Sequence, residues 1–305
     1  KADRRRKPMF KIGKLFHLTH LVNDLDACDQ WYDEVFSCNR FYRGYEKLAV
    51  RDASLLTIGQ LVMEPLSLAK VPDAEKSPIG KFKARFGQRF HSIAWYVEDV
   101  AGLAAQFDRH QVHMFNLVGK PVKAPVKPGT AIWTQPRQTH GLLEFAEIPR
   151  FTTDARLQPG WSSAFWRERH PLGIERASHI TVLVRELAPA TFFYRDVLGG
   201  RLIHEEQRAG QSKSAYVAVG EDTVVELRQP LSTTSPEGRD LEQNGDSIYA
   251  VTFKTINVPK AADFLRSKKL RIEAQSGDSL LLNQEDTFGL VVGFTERAVP
   301  NDPRS

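Results

Sequence analysis

An internal repeat constrains this chain more than any other feature. His17 and His179 stand 162 positions apart, and the same offset separates Leu25 from Leu187, Tyr32 from Tyr194 and Val35 from Val197. Four landmarks at one offset define a repeat, and a repeat governs how the rest of the chain is read. The first copy, FHLTHLVNDLDACDQWYDEVFSCNR from Phe16 to Arg40, reads as a short strand, a turn and an amphipathic helix. His17, Thr19 and Leu21 fall on one face of the strand and His20 and Val22 on the other, because strand side chains alternate. Asn23-Asp24 supplies a turn and an N-cap. Leu25, Cys28, Tyr32 and Val35 then recur at helical spacing. The second copy runs HITVLVREL from His179 to Leu187, followed by FYRDVLGG from Phe193 to Gly200.

Two weaker echoes exist. HSIAWYVED, from His91 to Asp99, leads into Val100, Leu103 and Phe107. IYAVTF, from Ile248 to Phe253, leads into Val258, Ala261 and Leu265. The chain is thus four copies of one unit: a strand, a helix and about three more strands. Residues 15 to 297, through the signature H-x5-hDL…FYxxVLG and the stretch WTQPRQTHGLLE from Trp133 to Glu144, resemble the vicinal oxygen chelate superfamily. That superfamily includes glyoxalase I, methylmalonyl-CoA epimerase and the extradiol dioxygenases. The resemblance implies an α+β fold of four βαβββ units, paired into two curved, barrel-like domains, each with a cleft inside.

The length of 305 residues suits two domains of ~150 residues. No run of ~18 apolar residues is present to span a membrane. The opening KADRRRKP has no apolar core and does not read as a secretory signal. Two cysteines, Cys28 and Cys38, make no CxxC and no disulfide framework, so a reducing cytoplasm is expected. The net charge of +5 is concentrated at the start, where five cations less Asp3 supply +4 within seven residues. That reads as a solvated tail, not a nucleic-acid arm. The expected partners are a small-molecule substrate and a second copy of the chain, with neither nucleic acid nor membrane.

The expected boundaries are a basic tail at 1–14, an N-terminal paired domain at 15–150, a connector at 151–175, a C-terminal paired domain at 176–297 and a tail at 298–305. Residues 66–86 read as a linker and 231–245 as a loop rich in breakers. The connector carries Trp161, Phe165 and Trp166, and so is expected to pack on a surface.

In the superfamily, each pair of units lines its cleft with four metal-ligand positions. The resemblance implies His17, Gln60, His91 and Glu144 in the N-terminal pair. Imidazole and carboxylate suit one divalent ion among Fe, Mn, Co, Ni and Zn. Glu144 sits in an otherwise apolar strand, where an unpaired carboxylate is costly to bury. Two choices stay open. Helix alignment maps His17 onto Ser92, so His91 turns inward only through a one-residue bulge. Gln60 matches Glu144 by distance to the next proline, whereas the 162 offset matches Glu64 to Glu226. Gln60 and Glu64 lie roughly 13 Å apart along a strand, so one ion takes only one of them.

The C-terminal pair offers His179 and Glu226, but Tyr249 and Gly293 fall at its remaining ligand places. It reads as a degenerate copy with a role in structure, dimer contacts or a lid. Trp95, Tyr96, Trp133 and Arg137 are read as core or pocket wall, and His140 as a turn histidine or a general acid–base. The resemblance favours a metal-dependent epimerase, isomerase or lyase that chelates adjacent substrate oxygens, with Glu144 or Glu64 moving the proton and His140 a further candidate. The alternatives are an Fe(II) extradiol ring-cleaving dioxygenase and a metal-free binding or resistance protein.

Overall fold

The computed structural model describes residues 10–147 and 153–305. Most of the expected basic tail lies outside the described residues. The first strand starts earlier than expected, at Lys11, and takes in the last four positions assigned to that tail.

The N-terminal half holds β1 (Lys11–Leu21), α1 (Leu25–Phe36), β2 (Asn39–Glu46), β3 (Arg51–Ile58), β4 (Leu61–Leu68), α2 (Pro78–Phe86), β5 (Arg89–Glu98) and α3 (Val100–Arg109). It continues with β6 (Met114–Phe115), β7 (Pro121–Val122), β8 (Ile132–Thr134), α4 (Pro136–Thr139) and β9 (Leu142–Glu147). A short helix in the connector, α5 (Ala164–Glu168), leads to the second half. There follow β10 (Ile174–Leu183), α6 (Leu187–Phe192), β11 (Arg201–Arg208), β12 (Ser212–Val219), β13 (Thr223–Pro230), α7 (Pro236–Asn244), β14 (Ser247–Thr255) and α8 (Val258–Ser267). Last come β15 (Ile272–Ser276), β16 (Ser279–Leu282) and β17 (Val291–Thr295). The sheet orders are β2-β3-β4-β1-β5-β9-β8-β6-β7 and β11-β12-β13-β10-β14-β17-β16-β15. The four expected units are all present, and the sequence-equivalent strands β1, β5 and β10, β14 pair at the centre of each sheet.

Helix α1 forms where the sequence indicates. The Asp24 side chain accepts from the Ala27 amide at 3.0 Å, satisfying a free N–H at the first turn. The helix buries Leu25, Cys28, Tyr32, Val35 and Phe36. Phe36 reaches the other half, with ring centroids 5.7 Å from Phe253 and 6.5 Å from Phe294. Phe107 of α3 likewise stacks on Phe193 at 6.3 Å. The helix-facing sides of both sheets therefore share one hydrophobic core, in which Ile93 and Trp95 join Val251 and Phe253. His20 is tied into the same seam between Tyr32 Oη and the Phe288 carbonyl, each at 3.0 Å.

Two segments read as linker or loop contain helices. Ser77 caps α2 and Ser235 caps α7, each accepting at 3.0 Å from the amide of the glycine three residues on. Both begin Ser-Pro-x-Gly, with proline at the first helical position where its missing N–H costs nothing. The glycine is needed in each: a Cβ at Gly80 would stand 2.5 Å from the Ala74 carbonyl oxygen, and at Gly238 1.9 Å from that of Ser232.

The connector packs, as its aromatics suggested. Trp166 is buried and donates to the Phe36 carbonyl at 2.8 Å. The expected C-terminal tail is also docked. Asp302 is buried, and the Arg304 guanidinium donates to the carbonyls of Ser178 (2.6 Å), Asp222 (2.7 Å) and Ala177 (3.1 Å).

Candidate metal centre

On β1, His17 and Thr19 point to the side away from the shared core. His17 Nε2 lies 3.3 Å from a Glu64 oxygen and 3.3 Å from a Glu144 oxygen, with all three side chains buried. Glu64 arrives from β4, whose parallel pairing sets it beside Thr19. Thr19 Oγ1 donates to it at 2.8 Å. Glu144 arrives from β9, opposite Ala94, and Ala94 in turn pairs with His17. Arg51 reaches across from β3, donating from Nη2 to Glu64 at 2.9 Å and from Nε to Glu46 at 2.8 Å. These groups line a cavity of about 280 Å³ whose wall includes Trp133, Leu48 and Leu117.

Gln60 is a correction to the expected ligand set. It sits exposed on the turn between β3 and β4, and its carbonyl accepts from Arg156 at 3.1 Å. It lines a separate small cavity with Leu15 and Arg176. The proline match misled because a proline carries no strand register, whereas the pairing of β4 with β1 sets Glu64 against the site.

The bulge expected at His91 is present. Leu18 pairs with Ile93 and His20 with Phe90, so two steps along β1 face three along β5. Phe90 and Ile93 both enter the shared core, which leaves His91 and Ser92 together on the other face. Ser92 is buried and donates to Thr19 Oγ1 at 2.9 Å, while His91 Nδ1 stands 3.2 Å from Ser92 Oγ. The His91 ring packs on Phe82, and it borders the groove between the halves instead of bonding to Glu64 or Glu144. Burial, with the charges of Arg51 and His17, holds its pKa at about 3, so it stays a neutral imidazole.

His140 does not join the site. It occupies the left-handed C-cap of α4, and its Nδ1 contacts Asp246 of the other half at 2.6 Å. Trp95 and Tyr96 are core: Trp95 Nε1 donates to Thr223 Oγ1 at 3.1 Å and Tyr96 Oη to Asp154 at 3.3 Å. Arg137 is exposed. Arg51 and Glu46 escaped the sequence reading. A charged residue at the start of a strand is ordinary, and only cross-strand reach makes Arg51 part of the cavity.

Whether these donors suit a cation can be judged from the imidazole. Both His17 nitrogens are buried without a hydrogen-bond partner. Burial presses its pKa down, but the Glu64 and Glu144 carboxylates outweigh that and raise it. Two ligands at right angles on an ion, each about 2.1 Å away, lie about 3.0 Å apart, close to the observed spacing. Three carboxylates, Glu46, Glu64 and Glu144, line the cavity with two cationic side chains, Arg51 and Lys47, which leaves negative charge for a divalent ion to balance. Among the described residues no three His, Cys, Asp or Glu side chains are grouped so as to hold a metal ion, and Glu64 is bonded to Arg51 and Thr19. By chemical type, imidazole and carboxylate are donors that suit a divalent cation.

The C-terminal half repeats part of this arrangement. His179 Nε2 lies 3.5 Å from Glu226, and Thr181 Oγ1 donates to Glu226 at 2.8 Å. The bulge recurs too, since Thr181 pairs with Ala250 and Val182 with Ile248, leaving Tyr249 as the extra residue. Gly293 stands where Glu144 does, opposite Thr252, the partner of His179. Glu226 is instead gripped by Arg228 through Nε (2.9 Å) and Nη2 (2.8 Å), with Ser214 (2.8 Å) and Tyr216 (3.1 Å) donating as well.

Comparison with known proteins agrees with this architecture. Residues 176–292 match the model of the Glyoxalase/Bleomycin resistance protein/Dioxygenase superfamily. Residues 176–292 therefore match a vicinal oxygen chelate domain, in line with the repeated signature. It is 29% identical over 140 residues to mitochondrial methylmalonyl-CoA epimerase of Mus musculus, covering 43% of this chain and 75% of that protein. A mutant 4-hydroxymandelate synthase from Streptomyces coelicolor shares the fold, with a TM-score of 0.65 and 12% identity over 95% of each chain. Among the described residues no helix is long and apolar enough to cross a membrane.

Proposed function

We propose that the N-terminal half is a divalent-metal enzyme of epimerase, isomerase or lyase type, acting on two neighbouring oxygens of a small organic substrate. The observation that carries this reading is the buried His17 imidazole, with its Nδ1 unpartnered and its Nε2 held 3.3 Å from both Glu64 and Glu144. His17, Glu64 and Glu144 would hold the ion, with His91 beside them on the same face of β5. Fe, Mn, Co, Ni and Zn all accept such donors. When bound, the ion supplies Lewis-acid stabilisation to negative charge on a substrate oxygen. Arg51 keeps the carboxylates of Glu64 and Glu46 in fixed orientation from one guanidinium. Glu46, on the cavity wall, is the group we assign to take the substrate proton at its carboxylate. Trp133, Leu48 and Leu117 give the cavity an apolar wall for the carbon part of the substrate.

The test is elemental analysis of the purified chain, followed by titration of metal-stripped protein with Mn, Co, Ni and Zn. One ion per chain, lost in His17→Ala, is expected. A wild-type chain that binds none of the four would sink the reading.

A further inference from the structure

The two halves enclose a groove of about 950 Å³, distinct from the His17 cavity and from the C-terminal cleft. One wall is α2 and the α4 turn, and the other is α7 with the start of β14. Four arginines line it: Arg85, Arg89, Arg137 and Arg185. Two are committed, Arg89 to Asp240 and Ser247, each at 3.1 Å, and Arg185 to Glu242 at 2.9 Å. Arg85 and Arg137 are exposed and have no ion partner among the described residues. Among the described residues Glu186, which precedes α6, is the one lining carboxylate without an ion partner. The Arg85 guanidinium rests 4.8 Å from the Phe86 ring centroid. Stacking on a ring orients the planar fork and leaves its N–H groups free to bind an oxyanion in pairs.

Unpaired cations in a concave wall concentrate potential on whatever enters, so the groove selects for negative charge. Its volume lies at the upper end of the ~300–1,000 Å³ range for small-molecule sites, too large for inorganic phosphate alone. We propose that this groove binds a phosphorylated, nucleotide-sized organic anion whose phosphates are taken by Arg85 and Arg137. The site goes beyond the metal reading and does not depend on it, because none of these arginines touches His17, Glu64 or Glu144.

Calorimetric titration of the full chain with ADP, pyrophosphate and adenosine tests the proposal. ADP is expected to bind once per chain with a dissociation constant below about 1 mM. Arg85→Ala/Arg137→Ala should weaken ADP at least about tenfold, as should the charge reversal Arg137→Glu. Adenosine should give no saturable heat, and pyrophosphate should bind several-fold more weakly than ADP. Arg297→Ala, which alters the C-terminal cleft, should leave ADP binding unchanged. No saturable ADP binding, ADP binding that survives the double substitution, or pyrophosphate matching ADP would each overturn the proposal. Thermal melts check that the variants fold, and both substituted residues are on the surface. Metal content is measured on the same samples, so a groove that fails while the ion is retained leaves the reading of the His17 cavity intact.

Discussion

Both halves set a histidine, a threonine and a glutamate on the concave side of a central strand pair, and they differ in how the glutamate's charge is met. Glu226 is closed off by a two-pronged arginine and three hydroxyls, so its lone pairs are filled. Burial works against its ionisation, but Arg228 and His179 outweigh burial and hold its pKa low. Its histidine is driven the other way, to about 4, chiefly by burial. In the N-terminal half one guanidinium is shared between Glu64 and Glu46, and Glu144 adds a third carboxylate with no arginine of its own. There the histidine pKa rises. The same local motif is thus a neutral, finished network in one half and an electron-rich, unfinished one in the other. A buried carboxylate with every lone pair satisfied serves structure, whereas one left short of positive charge invites a cation.

The largest expected effect tests the finished network. Arg228→Met strands Glu226 without its counter-ion, and should cost about 3–5 kcal/mol in urea unfolding. Arg51→Met in metal-loaded protein should cost clearly less, because the ion takes over the charge. Equal losses would erase the contrast. The acid side carries the same signature. A carboxylate with a lowered folded pKa stabilises fully above its unfolded value of about 4.3, and that stabilisation is lost as pH falls through the folded pKa. Stability of the wild type should therefore fall more steeply below pH ~4 than that of Arg228→Met, which a series of melts would read.

Next in size is the histidine pair. His17→Ala should lower metal affinity by about 100-fold or more, since loss of a supporting partner alone costs 10–100-fold. His179→Ala should leave it unchanged. Loss of metal from His179→Ala with retention in His17→Ala would reverse the assignment of the halves.

The bulge gives a smaller effect. His91→Ala is expected to weaken metal binding by about tenfold, and Ser92→Ala by less, because Thr19 still holds Glu64. A larger loss from Ser92→Ala would mean that the hydroxyl chain, not the imidazole, supports the centre. Smallest of all is Gln60→Ala, whose titration with Co or Mn should match the wild type, since that residue lies on a turn away from His17. A clear fall would restore Gln60 to the ligand set.

The sequence by itself determined the four units, their order and the faces of their first strands. That information is local: period-2 and helical alternation survive in any chain long enough to repeat, and the 162 offset carries Glu64 onto Glu226 without reference to a third dimension. The bulge was legible because the helix of the second unit keeps an offset that its histidine alone would break. Tertiary structure decided the rest. It took strand pairing to bring Glu64 beside Thr19 and to leave Gln60 on a turn. Cross-strand reach brought Arg51 into one cavity, whereas Arg228 serves Glu226 from two positions along the same strand. The caps of α2 and α7 were written in Ser-Pro-x-Gly, yet the polar composition around them hid the helices. Charge balance in a buried site is a sum over strands far apart in the chain, and only the folded chain brings its members together.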